Sequence, residues 1–130
     1  MAITKIKALK TTLDKAINYI INPEKTEDGQ LVYSFGCSVG TADVEMVLTA
    51  KKGSHRGNRI AYHLIQSFSS EDNLTPAQAL EIGKEFAQKV TNGKYEFVVS
   101  THADGDNLHN HIIFNATNFV DYKKYHYGIK

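Results

Sequence analysis

Apolar and polar positions change their spacing along the chain in a way that marks out its elements. Residues 2–8 alternate, with Ile3, Ile6 and Ala8 apolar among lysines, which predicts a short strand. Thr11 or Thr12 then stands before Leu13, Ile17 and Ile20 or Ile21, an apolar stripe at helical spacing that predicts a helix to about Ile21. Asn22-Pro23 ends it, because a residue before proline avoids the helical region. A polar loop (residues 24–30) leads to a strand over Leu31–Ser38, with Gly36 as a break. Thr41–Ala50 predicts a second helix, with Val44, Val47 and Leu48 apolar and Asp43 and Glu45 in the first turn, where they suit the helix dipole.

Ile60–Phe68 reads as a strand that places Tyr62, Leu64, Gln66 and Phe68 on one face and Ala61, His63, Ile65 and Ser67 on the other. The sharpest helix signal follows. Thr75 can cap, Pro76 suits the first position, Gln78 completes a capping box, and Leu80, Phe86, Ala87 and Val90 form the stripe. Asn92-Gly93 closes it. The order is β-α-β-α-β-α-β-β. It predicts an α+β fold with a mainly antiparallel central sheet, helices packed chiefly on one face, and a second face left open for chemistry.

The last two strands carry the candidate chemistry. Phe97-Val98-Val99 leads to His102, a loop of Ala103-Asp104-Gly105-Asp106-Asn107 follows, and His109-Asn110-His111 runs into Ile112-Ile113-Phe114. This pattern predicts a hairpin. Alternation along a strand points His109 and His111 the same way, and His102 ends the facing strand. The three imidazoles can therefore converge. Neutral imidazoles offer one unprotonated nitrogen each, the chemistry of a metal site. Asp104, Asp106 and Asn107 lie beside them and can orient the rings.

Composition changes this picture little. A chain of 130 residues suits one domain and one core, and 42% hydrophobic and 22% charged residues are ordinary for a soluble protein. No apolar run is long enough to span a membrane, the N-terminal segment lacks a signal-peptide core, and the single cysteine, Cys37, excludes an internal disulfide framework. The expected location is cytoplasmic. The net charge of +1 leaves the partner open, but cations cluster locally: Lys5, Lys7 and Lys10; then Lys51, Lys52, Arg56 and Arg59, with His55 beside Arg56; then Lys123, Lys124 and Lys130. The Lys51–Arg59 loop is a candidate phosphate contact or a solvated loop. His63 reads as a buried hydrogen-bonded histidine or as a phosphate contact on the active face. His126, between Tyr125 and Tyr127, reads as a base-stacking residue or a surface residue near the chain end. The segment 1–130 is expected to be the N-terminal part of a longer protein.

The string His102-x-Asp104-x-Asp106-Asn107-x-His109-x-His111, followed by IIFNATN, resembles the third motif of conjugative relaxases of the HUH endonuclease superfamily. The strand AYHLIQSF with its TPAQA helix is similar to the relaxase or mobilisation nuclease domain of plasmids and integrative elements, and INYIINPEKT resembles that family's first motif, where the catalytic tyrosine lies. Asn110 departs from the hydrophobic residue expected between the paired histidines, but it faces away from them.

The resemblance implies a relaxase catalytic domain that nicks one strand at an origin of transfer and stays joined to the 5′ end. It implies Tyr19 as nucleophile, with Tyr33 and Tyr62 as substitutes. It implies His102, His109 and His111 as ligands of a divalent metal, Mg or Mn in use with Zn or Ni able to replace them, and Asp104 as a group that orients a ligand or assists the tyrosine. The implied partners are single-stranded DNA, accessory mobilisation proteins and a coupling protein. A tyrosine is a poor nucleophile at its usual pKa of about 10, so it needs a nearby cation or base. Two other readings compete: a histidine-metal hydrolase using activated water, and a non-catalytic nucleic-acid-binding module.

Overall fold

The computed structural model describes residues 3–53, 59–104 and 107–125, with the backbone alone for Ile3 and Asp104. Its elements follow the expected order: β1 (Ile3–Leu9), α1 (Leu13–Ile20), β2 (Val32–Phe35), α2 (Ala42–Lys51), β3 (Ala61–Phe68), α3 (Pro76–Thr91), β4 (Phe97–Asp104) and β5 (Asn107–Asn115). The strands form one five-stranded sheet in the order β1-β3-β5-β4-β2, and every pairing is antiparallel. The fold is α+β with a His cluster on the sheet, as the sequence implied.

The longest helix, α3, begins as its sequence dictates. Thr75 Oγ1 accepts from the Gln78 amide, the Gln78 side chain accepts from the Thr75 amide, and Pro76 opens the first turn. Asn92 ends it in the left-handed region, at φ 54°. Leu80 and Ala87 of α3 pack with Tyr62, Leu64, Phe97, Val99, Ile112 and Phe114 over one face of the sheet. Gly83 permits this close approach, since a Cβ there would lie 2.7 Å from Asn110 Nδ2 and 3.0 Å from Val99 Cγ2.

The opposite face carries a second core. Leu13, Ile17 and Ile20 of α1 and Ala42 and Met46 of α2 pack against Leu9, Ala61, Val98 and Ile113. The helices thus divide between the faces instead of gathering on one. This second layer covers only part of its face, and the His cluster lies beside it. The expected stripe of α2 is also turned. Val44 and Leu48 are each 55% exposed, whereas Ala42 and Met46 are fully buried. The reason is the anchor: Asn115 Nδ2 donates to the Met46 carbonyl at 2.9 Å, which holds the Met46 side of α2 against the sheet.

Candidate active site

The β4–β5 hairpin is apolar at one end and polar at the other. Phe97, Val98 and Val99 pair with Phe114, Ile113 and Ile112, while Ser100, Thr101 and His102 pair with His111, Asn110 and His109. Apolar side chains on both faces fix the first half in the two cores. The polar half then extends that rigid ladder, so the histidines stand on a frame the cores hold still. The strands run further than the sequence suggested, since Ala103, Asp104 and Asn107 are all paired.

His102, His109 and His111 share one face, and their ring centroids lie 4.5 to 5.5 Å apart. Each offers a nitrogen within 4.8 Å of the others. Three nitrogens about 2.1 Å from one ion lie no more than about 4.2 Å apart, so small ring movements suffice for coordination. His102 is 1% and His111 4% exposed, and His109 is half-buried.

The hydrogen bonds of the rings decide which nitrogens are available. His102 Nε2 lies 2.9 Å from the Ile20 carbonyl oxygen. A carbonyl only accepts, so Nε2 carries the proton of this bond and Nδ1 is the nitrogen that can serve as a ligand atom. Ile20 is the last residue of α1, where helix carbonyls lack intrahelical partners, and the imidazole satisfies one of them. His111 Nδ1 is 2.9 Å from His63 Nε2, whereas His111 Nε2 is buried with no hydrogen-bond partner. Burial first, then the neighbouring charges of His102, His63 and His109, lowers the pKa of His111 to about 3. Burial, then Lys7 and His102, lowers that of His63 to about 4. Both rings are therefore neutral near pH 7. An orphaned buried nitrogen on a neutral imidazole, with two more imidazoles beside it, fits a divalent cation, and the triad can hold one.

Tyr19 lies in the last turn of α1, one residue before the carbonyl that His102 grips. Its ring meets His102 and His111 edge to face, at 5.5 and 5.6 Å between centroids. The residue is 54% exposed, so the phenol is reachable from solvent. Tyr33 and Tyr62, the substitutes, pack instead with the α3-side core, Tyr62 fully buried. They lie across the sheet from the histidines. Cys37 brings no competing nucleophile: burial, then Glu96 and Glu45, pushes its thiol up to about 12.

The other expected site residues divide. Asp104 ends β4 two positions beyond His102, but its side chain, Asp106, His55, Arg56 and His126 lie outside the described residues. Lys51 and Lys52 end α2, and Arg59 stands just before β3, beside the Ala61–Asn115 pair. That pair is roughly 13 Å along β5 from His111 and roughly 20 Å from His109, at about 3.3 Å per residue. These cations therefore sit toward the opposite end of the sheet from the triad. Among the described strands, Lys5 and Lys7 of β1 are the cations that share the triad's face: Lys5 pairs with Ile65, which pairs with His111, and Lys7 pairs with His63. Sequence reasoning listed these lysines without joining them to the site, because the β1–β3–β5 order is invisible locally. His63 is 7% exposed and bonded to His111, which removes it from the surface group of phosphate contacts. Its alternation with Ala61 and Ile65 indicated the face, but only the register brings it to His111.

The family Relaxase: MobA/VirD2-like, nuclease domain, matches residues 19–129, a span that includes Tyr19 and all three histidines. The chain belongs to this relaxase family. It is 39% identical over 136 aligned positions to the group II intron-interrupted relaxase LtrB of Lactococcus lactis subsp. cremoris, covering 85% of this chain and 24% of that protein. It is 31% identical over 125 positions to the protein rlx of Staphylococcus aureus, covering 96% of this chain and 36% of that protein. The relaxase chain thus spans about a quarter to a third of these relatives' lengths. A solved structure titled "Molecular Basis of Vancomycin Resistance Transfer in Staphylococcus aureus" shares the fold, with a TM-score of 0.59 at 17% identity over all of this chain and 79% of that one. No helix among the described residues is long and apolar enough to cross a membrane.

Proposed function

We propose that this relaxase domain nicks one strand of DNA at an origin of transfer by tyrosine transesterification. The observation that carries the reading is the contact of the Tyr19 ring with His102 and His111 on one face of the sheet. In the reaction the Tyr19 Oη attacks the phosphorus of a scissile phosphodiester. The P–Oη bond forms, the P–O3′ bond breaks, the phenolic proton leaves to a base or solvent, and the departing 3′ oxygen takes up a proton. A 5′-phosphotyrosine and a free 3′-hydroxyl result, so a strand can later be rejoined by the reverse attack. Asp104 is the candidate base or orienting group, from its place at the end of β4.

His102, His109 and His111 would hold a divalent cation, Mg or Mn in use, with Zn or Ni able to compete at an imidazole set. The chemistry a bound cation supplies is polarisation of a non-bridging phosphoryl oxygen and relief of the charge that repels a nucleophile. The hydrogen bond from His102 to the Ile20 carbonyl keeps the tyrosine helix and the ligand set in one register, which orients attack. Lys51, Lys52, His55, Arg56 and Arg59 remain candidate contacts for the DNA away from the scissile bond. The domain would act as the catalytic part of a longer cytoplasmic protein, with accessory mobilisation proteins and a coupling protein as partners.

The test is a covalent assay. The protein is incubated with single-stranded origin oligonucleotide and Mn, then run on a denaturing gel. A DNA-shifted protein band that Tyr19→Phe removes is the expected result. Cleavage without an adduct would replace transesterification by hydrolysis with activated water. DNA binding without cleavage by either protein would leave a nucleic-acid-binding module.

A further inference from the structure

His63 lies in the middle of β3, across the ladder from Ile113 and one strand away from the triad. It is 7% exposed, and its Nε2 meets His111 Nδ1 at 2.9 Å. Two neutral imidazoles can share the one proton of such a bond in two ways. If His63 donates, His111 Nε2 carries the second proton and becomes a buried donor with nothing to receive it. If His111 donates from Nδ1, its Nε2 keeps a lone pair, on a ring whose centroid is 4.5 Å from that of His102 and 5.1 Å from that of His109. Only the second arrangement gives the orphaned nitrogen a use.

We infer that His63 is a positioning residue that accepts the Nδ1 proton of His111 and so fixes its ring and tautomer for metal binding. The inference rests on the metal reading above. An acceptor behind a ligating imidazole is a general requirement, usually met by a carboxylate, a carbonyl or water. Here the acceptor is a neutral ring. A carboxylate would add a negative charge behind the ligand and offset part of the charge of a bound cation. A neutral acceptor orients the ring and leaves that positive charge for a phosphate. The same bond explains why a histidine is buried at a strand position otherwise filled by Ala61 and Ile65 on that face.

The test compares His63→Leu, which fills the space without accepting, with His63→Gln, whose carbonyl can accept. Mn titration calorimetry is expected to show about 10- to 100-fold weaker binding for the Leu variant. The Gln variant should recover most of the affinity. Circular dichroism of the metal-free proteins checks that both fold. A folded Leu variant with wild-type Mn affinity overturns the inference, and so does equal loss in the folded Gln and Leu variants. If the Leu variant does not fold, histidine 15N shifts of the wild type loaded with diamagnetic Zn decide instead. Protonated Nδ1 on His111 with bare Nε2 on His63 is expected, and the reverse pattern overturns it. Failure of the underlying reading looks different: Mn affinity that is absent in the wild type, or unchanged in His109→Ala, removes the metal site and this role with it.

Discussion

Asn110 and His111 are neighbours on β5 and point to opposite faces of the sheet. Both are buried polar residues, but their surroundings differ. Asn110 is saturated: its Oδ1 accepts from Thr101 Oγ1 at 2.6 Å, and its Nδ2 donates to Gln66 Oε1 at 3.0 Å and to the Ala79 carbonyl at 2.8 Å. His111 has one nitrogen bonded to His63 and one with no partner. A completed network under α3 holds a helix in place. The His111 pair lies beside the Tyr19 end of α1 and leaves one nitrogen for a ligand. Polar burial alone therefore says little about function. The clustering of three imidazoles around an unpartnered nitrogen, with the Tyr19 ring beside them, distinguishes the His111 side from the scaffolding face.

The comparison breaks first at the triad. His109→Ala should abolish nicking, with the DNA-shifted band falling to background, and should weaken Mn binding by more than the 10- to 100-fold typical of losing an outer partner. Unchanged Mn affinity by calorimetry would reject His109 as a ligand. Tyr19→Phe should remove the adduct as completely while leaving Mn affinity within about twofold, since the phenol is outside the ligand set. A Phe variant that still forms the adduct would move the nucleophile elsewhere.

On the scaffolding face the readout is stability. Asn110→Leu leaves the Thr101 hydroxyl, Gln66 Oε1 and the Ala79 carbonyl without their partner. One to three kcal/mol for each buried group left unsatisfied, partly relieved by rearrangement, gives a loss of about 3 kcal/mol. Denaturant unfolding measures it. Mn affinity of the folded variant should not change, and a large change would mean the two faces are coupled through the strand.

How far the sequence reveals each face follows from the range of its interactions. The α3 cap, the strand alternation and the paired His109 and His111 are set within a few residues, so they can be read directly. His102 joins them because a hairpin is also local. The bond between His63 and His111 spans 48 positions and the one between His102 and Ile20 spans 82, and both depend on strand order and on how α1 lies on the sheet. The face that α2 buries was misleading for a similar reason. Val44, Val47 and Leu48 outnumber Met46 as apolar residues, but Asn115 holds the helix by the Met46 carbonyl.

Gly83 sharpens the contrast with a smaller effect. An added Cβ would come within 2.7 Å of Asn110 Nδ2, and Asn110 is tied by its bonds to Thr101, Gln66 and Ala79. Overpacking of this kind costs about 1 to 3 kcal/mol, against roughly 1 kcal/mol gained from replacing glycine within a helix. Gly83→Ala should therefore destabilise by up to about 2 kcal/mol in denaturant unfolding. A more stable variant would mean that α3 can rise from the sheet without penalty.

The smallest effect concerns where DNA runs across the working face. Lys5 shares a cross-strand row with Ile65 and His111, with its strand about 10 Å from β5 at two strand spacings. Lys51 and Lys52 belong to the end of α2, toward the far end of the sheet. Each phosphate contact on a single strand contributes about 0.7 to the slope of log affinity against log salt. If DNA follows the face past the triad, Lys5→Ala with Lys7→Ala should lower that slope by about 1.4, measured by fluorescence anisotropy with an origin oligonucleotide. The double change Lys51→Ala with Lys52→Ala should lower it less, because those cations stand away from the row that carries His111. The reverse ranking would place the strand across the α2 end and require it to turn before it reaches Tyr19.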